Sequence, residues 1–199
     1  MNPEFWNSRF NEAEWAYGTQ ANDFVRSCFH HPGQGRVLCL AEGQGRNAVY
    51  LASLGYQVTA LDYSEVGLER AQALAKSQGL SIETQQADLA EYSFETETWD
   101  GIVSIFGHLP SALRSQVNAQ LFSSLKPGGF LCMEGYHLDQ LNFKTGGPAH
   151  PDLLYSEDVL TQELCGQWSD FIVQKSQRII KEGPYHNGPS STVQIWAVR

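Results

Sequence analysis

Short apolar, β-branched runs alternate with helical periods along most of this chain, and no other feature narrows the possible folds as much. The runs lie at 36–41, 57–61, 81–87, 101–106 and 129–134, bounded by Gly, Asp or Pro. Their hydrophobicity is continuous rather than alternating, which marks strands buried on both faces of a parallel sheet. Between them, Ala48, Leu51 and Ala52 share one helical face, with Gly55 as its stop. Ser64 is placed to cap a helix whose stripe is Leu68, Ala71, Leu74 and Ala75, with Gly79 at its end. After Pro110, the four-residue recurrence of Leu113, Val117, Leu121 and Leu125 predicts a helix running up to Pro127-Gly128-Gly129. Strands separated by helices imply right-handed crossovers and a doubly wound α/β sheet.

The last third breaks the rhythm. A helix opening at Ser156-Glu157-Asp158 is followed by two strand candidates, 171–181 and 192–198, joined by a turn-rich stretch at 183–189. With no helix between them, these two strands are expected to be antiparallel.

With 13 Lys+Arg against 22 Asp+Glu, the formal charge is −9, the wrong sign for a phosphate-binding surface, so no nucleic-acid partner is expected. No apolar run reaches membrane length, and the first residues carry neither a basic nor an apolar leader pattern. Cys28, Cys39, Cys132 and Cys165 form no CxxC pair and read as buried thiols in a reducing cytoplasm. His30-His31 beside Cys28 lacks a second ligand cluster, so no metal is expected.

The stretch 37–48 reads strand, Gly-x-Gly turn, helix: Gly43 and Gly45 permit a tight turn, and the helix start offers N–H donors to a ligand; an ordinary tight turn between strand and helix is the equal alternative. Asp62 closes the next strand about twenty residues on, where a carboxylate can accept both ribose hydroxyls; the alternative role is a helix cap. Asp88 follows the third strand, near where an adenine amine would sit, with Leu89 beside it; capping is again the alternative.

The ordered set Gly-Gln-Gly-Arg-Asn-Ala-Val-Tyr-Leu-Ala (43–52), Val-Thr-Ala-Leu-Asp (58–62), Ala-Asp-Leu (87–89), Trp-Asp-Gly-Ile-Val-Ser (99–104) and Leu-Lys-Pro-Gly-Gly (125–129) resembles the class I S-adenosylmethionine-dependent methyltransferases. Tyr17-Gly18-Thr19 and the terminal hairpin are most similar to the tellurite-resistance TehB-like branch, with thiopurine methyltransferases further off. The resemblance implies a Rossmann-like, seven-stranded sheet of order 3-2-1-4-5-7-6, strand 7 antiparallel, with helices on both faces. It also implies one domain over 1–199, divided into a cover at 1–30, a cofactor core at 31–135 and a substrate side at 136–199.

For the cofactor, S-adenosylmethionine, the resemblance implies contacts from Tyr17, from the turn residues Ala41, Glu42, Gly43, Gly45, Arg46 and Asn47, and from Asp62 and Tyr63. Ala87, Asp88 and Leu89 fall at the adenine, and Ile105 and Phe106 after the fourth strand. The chain departs from the family pattern at Cys39, where an acid is usual, at Ala41, where glycine is usual, and at Glu42, where a small residue is usual. Glu42 then either bonds the methionine amino group or faces solvent.

Methyl transfer from a sulfonium depends mainly on alignment and exclusion of water, so catalytic motifs are expected to be sparse. His108, after the fourth strand, is the candidate base or acceptor-orienting residue. Tyr136, Tyr155 and His186 are acceptor-pocket candidates, with His150 and Tyr185 on the same Gly/Pro-rich loops. In the aromatic leading segment, Phe5, Trp6 and Phe10 are expected to pack on the sheet and Tyr17 to touch the cofactor. The expected protein is a cytoplasmic monomer or weak homodimer that methylates a small-molecule acceptor by in-line displacement. Two rival readings are an NAD(P)-binding oxidoreductase, disfavoured by Ala48 in place of a third glycine, and a non-catalytic S-adenosylmethionine-binding module.

Overall fold

The computed structural model describes residues 3–12, 14–164 and 166–199; Cys165 lies outside them. Its centre is a seven-stranded sheet of order β3-β2-β1-β4-β5-β7-β6. The strands are β1 (Arg36–Leu40), β2 (Gln57–Asp62), β3 (Glu83–Gln86), β4 (Trp99–Ile105), β5 (Leu125–Tyr136), β6 (Asp170–Glu182) and β7 (His186–Val198). β1 to β5 pair in parallel, β6 points the same way, and β7 runs antiparallel to both β5 and β6.

The continuous apolar runs have a simple cause: alternate residues of each inner strand face opposite layers, and both layers are roofed. Leu38, Leu40, Ile102, Leu131 and Met133 pack with Val117 and Leu121 of α5 (Ser111–Ser124) and Leu160 of α6 (Glu157–Glu163). Val37, Cys39, Val103 and Cys132 pack on the other side. Their partners are Val25 of α2 (Asp23–Cys28), Ala48 and Leu51 of α3 (Arg46–Ser53), and Leu68 of α4 (Glu65–Ser77). Ser64 caps α4 as expected, its side chain accepting from the Gly67 amide.

Two boundaries move. The helix expected to reach Pro127-Gly128-Gly129 ends at Ser124, because Leu125 already pairs with Trp99 of β4. The stretch 183–189, expected as a long loop, is mostly strand: Glu182 pairs with His186, leaving a three-residue turn at 183–185. Pro189 is accommodated there because β5 pairs with β7 only from Thr192 onward, which leaves one side of the strand unpaired at 189. The leading segment forms α1 (Pro3–Phe10), which packs on α4. Cys39 and Cys132 are buried free thiols, whereas Cys28 is only half-buried. Among the described residues no helix is long and apolar enough to cross a membrane.

Candidate functional site

The carboxyl ends of β1, β2 and β4 open into a cavity of about 540 Å³, roofed by α1 and flanked by the β6–β7 turn and by Gly146, Gly147 and Pro148. Open α/β sheets place ligands at this edge because the helix starts and loops converge there. The cavity has two unlike halves.

The first half lies over β1, β2 and the end of β3. Asp62 anchors it: one carboxylate oxygen accepts from the Gly43 amide at 2.8 Å, the other from the Ser64 amide at 2.8 Å. Burial nevertheless raises its pKa, since the neutral amides of Ser64, Gly43 and Tyr63 do not replace full hydration. Of about four acceptor positions on the carboxylate, these three donors leave one for a ligand hydroxyl. Leu61, Leu89 and Ile105 supply apolar wall, and Tyr63, Ala87 and Asp88 the far end. Asp88 is exposed and also accepts from the Ala90 amide, so the capping alternative is realised in the same side chain that borders the cavity.

At the turn, Ala41 takes a left-handed φ of 50° despite its Cβ. The loop thus keeps the glycine-like geometry of the pattern it resembles at a steric cost of about 1–2 kcal/mol. Phe106 does the same across the cavity, with φ 55°. The helix-start donors expected to be free are not free. Glu42 Oε1 accepts from both the Asn47 and Ala48 amides at 2.9 Å. Glu42 does not face solvent: it is buried in the cavity wall, and that burial pushes its pKa up to about 7.

Gly45 is a correction. It is absent from the lining, and a Cβ there would lie 2.5 Å from the Ala71 Cβ and 2.8 Å from its Cα. Its bareness serves the α3–α4 approach. Gly43 does border the cavity, but its missing side chain faces the ring of Phe10, 2.8 Å from an added Cβ.

The second half is aromatic. Phe5, Trp6 and Phe10 of α1 face Tyr17, Phe106, Tyr185 and His186. The Arg9 guanidinium lies 3.9 Å from the Tyr185 ring centroid, and its Nη1 donates to the Tyr17 hydroxyl at 3.3 Å. The Tyr17 and His186 rings are 4.4 Å apart, and burial among cations drives the His186 pKa well below its usual value. Phe5 and Trp6, expected as packing residues, instead border the cavity; the amphipathic aromatic spacing was visible, but which side faces a ligand was not.

His108 is the second correction. Its Nδ1–H donates to the Leu153 carbonyl at 2.7 Å, and its Nε2 accepts from the Tyr136 amide at 3.3 Å. Both ring nitrogens are consumed, and burial lowers the pKa to about 4. The ring borders the cavity as a neutral brace and is not available as a base. Tyr136 and Tyr155, expected in the acceptor pocket, lie behind the lining, fully buried. The Tyr155 hydroxyl donates to the Gly107 carbonyl at 2.9 Å, and Tyr136 stacks on Phe106 at 4.6 Å. His150 is outside the cavity too and caps a turn, accepting from the Asp152 amide.

Beneath the wall, the fully buried Glu134 at the end of β5 accepts from Asn22, Thr192, Gln194 and Arg178. Arg46 lies 2.7 Å from Glu182, which also accepts from Asn22. This network fastens the start of α2, α3 and the hairpin into one wall. Nothing local in the sequence marks Glu134 for this role.

The comparisons with known proteins agree with this geometry. Residues 37–129 match the model of a methyltransferase domain. The chain is 33% identical over 93 residues to the methyltransferase YodH of Bacillus subtilis, covering 45% of this chain and 38% of that protein. It is 38% identical over 69 residues to a probable S-adenosyl-L-methionine-dependent methyltransferase, TehB of Haemophilus influenzae, covering 35% of this chain and 24% of that protein. The chain therefore spans well under half the length of these relatives in the matched regions. The solved structure of that TehB superposes with a TM-score of 0.69 at 17% identity, covering 99% of this chain and 66% of the other. A structure concerned with conversion of a disulfide bond into a thioacetal group in echinomycin biosynthesis superposes with a TM-score of 0.74 at 19% identity, covering 96% and 86%.

Proposed function

We propose that the chain is a class I S-adenosylmethionine-dependent methyltransferase of the TehB-like branch and that it methylates a small-molecule acceptor by in-line displacement. The observation that carries the reading is the division of one cavity into a carboxylate-bearing half and an aromatic half. Carboxylates Glu42, Asp62 and Asp88 suit a cationic, hydroxyl-bearing donor, and the apolar wall of Leu61, Leu89 and Ile105 suits an adenine face. The residues present therefore fit an adenosyl group. S-adenosylmethionine, when bound, supplies a methyl carbon on a sulfonium whose leaving group is neutral.

The chain's own contribution is placement and dryness. Asp62 orients the ribose end while holding the glycine turn to β2. Phe106 and Tyr17 border the junction of the two halves, where aromatic faces favour a sulfonium electrostatically. α1 closes the roof and excludes water from the transfer path. His108 holds the end of β5 against the 151–153 turn without moving a proton. With His186 also neutral, neither histidine serves as an effective base near neutral pH. The acceptor reaches the aromatic half with its lone pair already available.

The test is incubation with methyl-labelled donor and a panel of small thiols, oxyanions, halides and aromatic hydroxyls between pH 6 and 8. Labelled product from one class supports the reading. Binding of S-adenosylhomocysteine without turnover on any acceptor favours a binding module instead, and no binding removes the donor assignment.

A further inference from the structure

Away from the cavity, α2 is carried by alternate residues of β5. Phe130, Cys132 and Glu134 point to the side of the sheet that α2 covers. The Asn22 side chain, which caps α2, donates to Glu134 at 2.6 Å. Phe29, just past the other end of the helix, packs on Phe130 with ring centroids 5.0 Å apart. The helix is therefore pinned over β5 at both ends, and the strand residue between the pins is Cys132. Cys28, the last residue of α2, faces it: the two thiols hydrogen-bond to each other within one apolar cluster. All the described cysteines are free thiols.

The two sulfurs are unlike. Cys28 is half-buried, so a small solute reaches it, whereas Cys132 is fully buried. The hydrogen bond from Cys132 lowers the pKa of Cys28, and burial raises that of Cys132. The thiolate thus forms on the sulfur that solvent reaches, and the proton stays on the one it does not. Cys39 is buried as deeply but is out of range. It lies across Val103 from Cys132, two strands away in register. That separation is about 9–10 Å between Cα atoms, beyond the roughly 7 Å that a disulfide spans.

We infer that Cys28 and Cys132 form an oxidation site for a small hydroperoxide, with Cys28 as the attacking thiol and Cys132 as the resolving one. The Cys28 thiolate attacks one oxygen of the peroxide and breaks the O–O bond. That oxygen stays on the sulfur as a sulfenic acid, and the other leaves as hydroxide, which takes up a proton to become water. The Cys132 sulfur then bonds to the Cys28 sulfur, and its proton leaves with the sulfenic oxygen as a second water. The thiol pair loses two electrons and the peroxide gains them. The resulting disulfide fastens α2 to β5 at the end opposite Asn22, whose backbone amide donates to the Asn47 side chain of the cavity wall.

The experiment exposes the folded, reduced protein to hydrogen peroxide, unfolds it in N-ethylmaleimide to block the remaining thiols, and maps the peptides by mass spectrometry. The expected result is a cross-linked pair containing Cys28 and Cys132, lighter by two hydrogens and reversed by dithiothreitol, with Cys39 still alkylated. Cys132→Ala should stop the reaction at a Cys28 sulfenic acid that dimedone traps, and Cys28→Ser should leave Cys132 reduced under the same exposure. Cys28 driven on to sulfinic acid while Cys132 is still alkylated overturns the inference. So does a disulfide that takes in Cys39 or Cys165 instead, or a protein whose thiols all remain alkylated. The unaltered protein separates these outcomes by itself, so the result stands even where a variant fails to fold.

Discussion

The two halves of the cavity are built in opposite ways. The donor half is assembled from residues at strand ends that follow one another along the chain: Ala41 to Asn47 after β1, Asp62 and Tyr63 after β2, Ala87 to Leu89 after β3. The aromatic half brings Trp6 and Arg9 of α1, Phe106 after β4, Gly146–Pro148, and Tyr185 and His186 of the hairpin together from both ends of the chain. A fold that repeats strand–turn–helix produces the first half wherever it produces the sheet. The second exists only because the buried Glu134–Arg178–Asn22 network and the β6–β7 hairpin hold distant segments against it. Donor binding and acceptor binding should accordingly be separable by mutation.

The largest effect is expected at Gly45, and it bears on whether the glycine turn is a ligand surface throughout. Gly45→Val puts a branched side chain at φ 85° against the Ala71 backbone. It should lower unfolding stability by about 3 kcal/mol or more, read as the denaturant midpoint. A normally stable protein that has lost only donor affinity would restore Gly45 to the cavity. Next is Asp62→Ala, which removes the ribose acceptor and frees the Gly43 and Ser64 amides. Binding of S-adenosylhomocysteine should weaken by about 2–3 kcal/mol. Wild-type affinity in calorimetry would break the donor half as drawn.

His108 lies where the halves meet. His108→Gln should cost about 1–3 kcal/mol of stability at pH 7, because the Leu153 carbonyl and Tyr136 amide lose a well-placed partner. The sign with pH is set by a folded pKa of about 4 against an unfolded value near 6.5. Between those values the unfolded chain binds more protons, so wild-type stability falls as pH drops from 6.5 toward 4. The variant should lose that part of the slope while keeping the parts due to His186 and Glu42. A base-type limb in the turnover profile near pH 6–7 that vanishes with His108 would return the residue to catalysis. The smallest effect is expected from Trp6→Ala in the roof. It should leave donor affinity within about twofold and raise the acceptor KM several-fold, roughly 1 kcal/mol of lost contact. A matching loss of donor affinity would show that the halves are not independent.

How legible each region was follows the same division. The turn at 41–47, Asp62 and Asp88 could be read because each sits at a fixed offset from a strand whose hydrophobic run announces it. His108 misled for a local reason: a histidine after β4 looks alike whether its nitrogens face a ligand or a carbonyl forty-five residues away. Tyr136 and Tyr155 misled because an aromatic residue at a strand end fits either side of a cavity wall, and here both brace His108 from behind. Gly45 was read as bare for a ligand when it is bare for Ala71, since glycine records only that something comes close.

The amino-acid order alone determined the layers, the strand polarity and the donor edge, because the two- and 3.6-residue periods and the turn residues act over a few positions. Only the tertiary structure decided which aromatics roof the cavity, which histidine is spent, and that Glu42 is buried against the start of α3. Those depend on burial and on partners far away in the chain, and desolvation energies are set by what surrounds a group in space rather than by its neighbours in order.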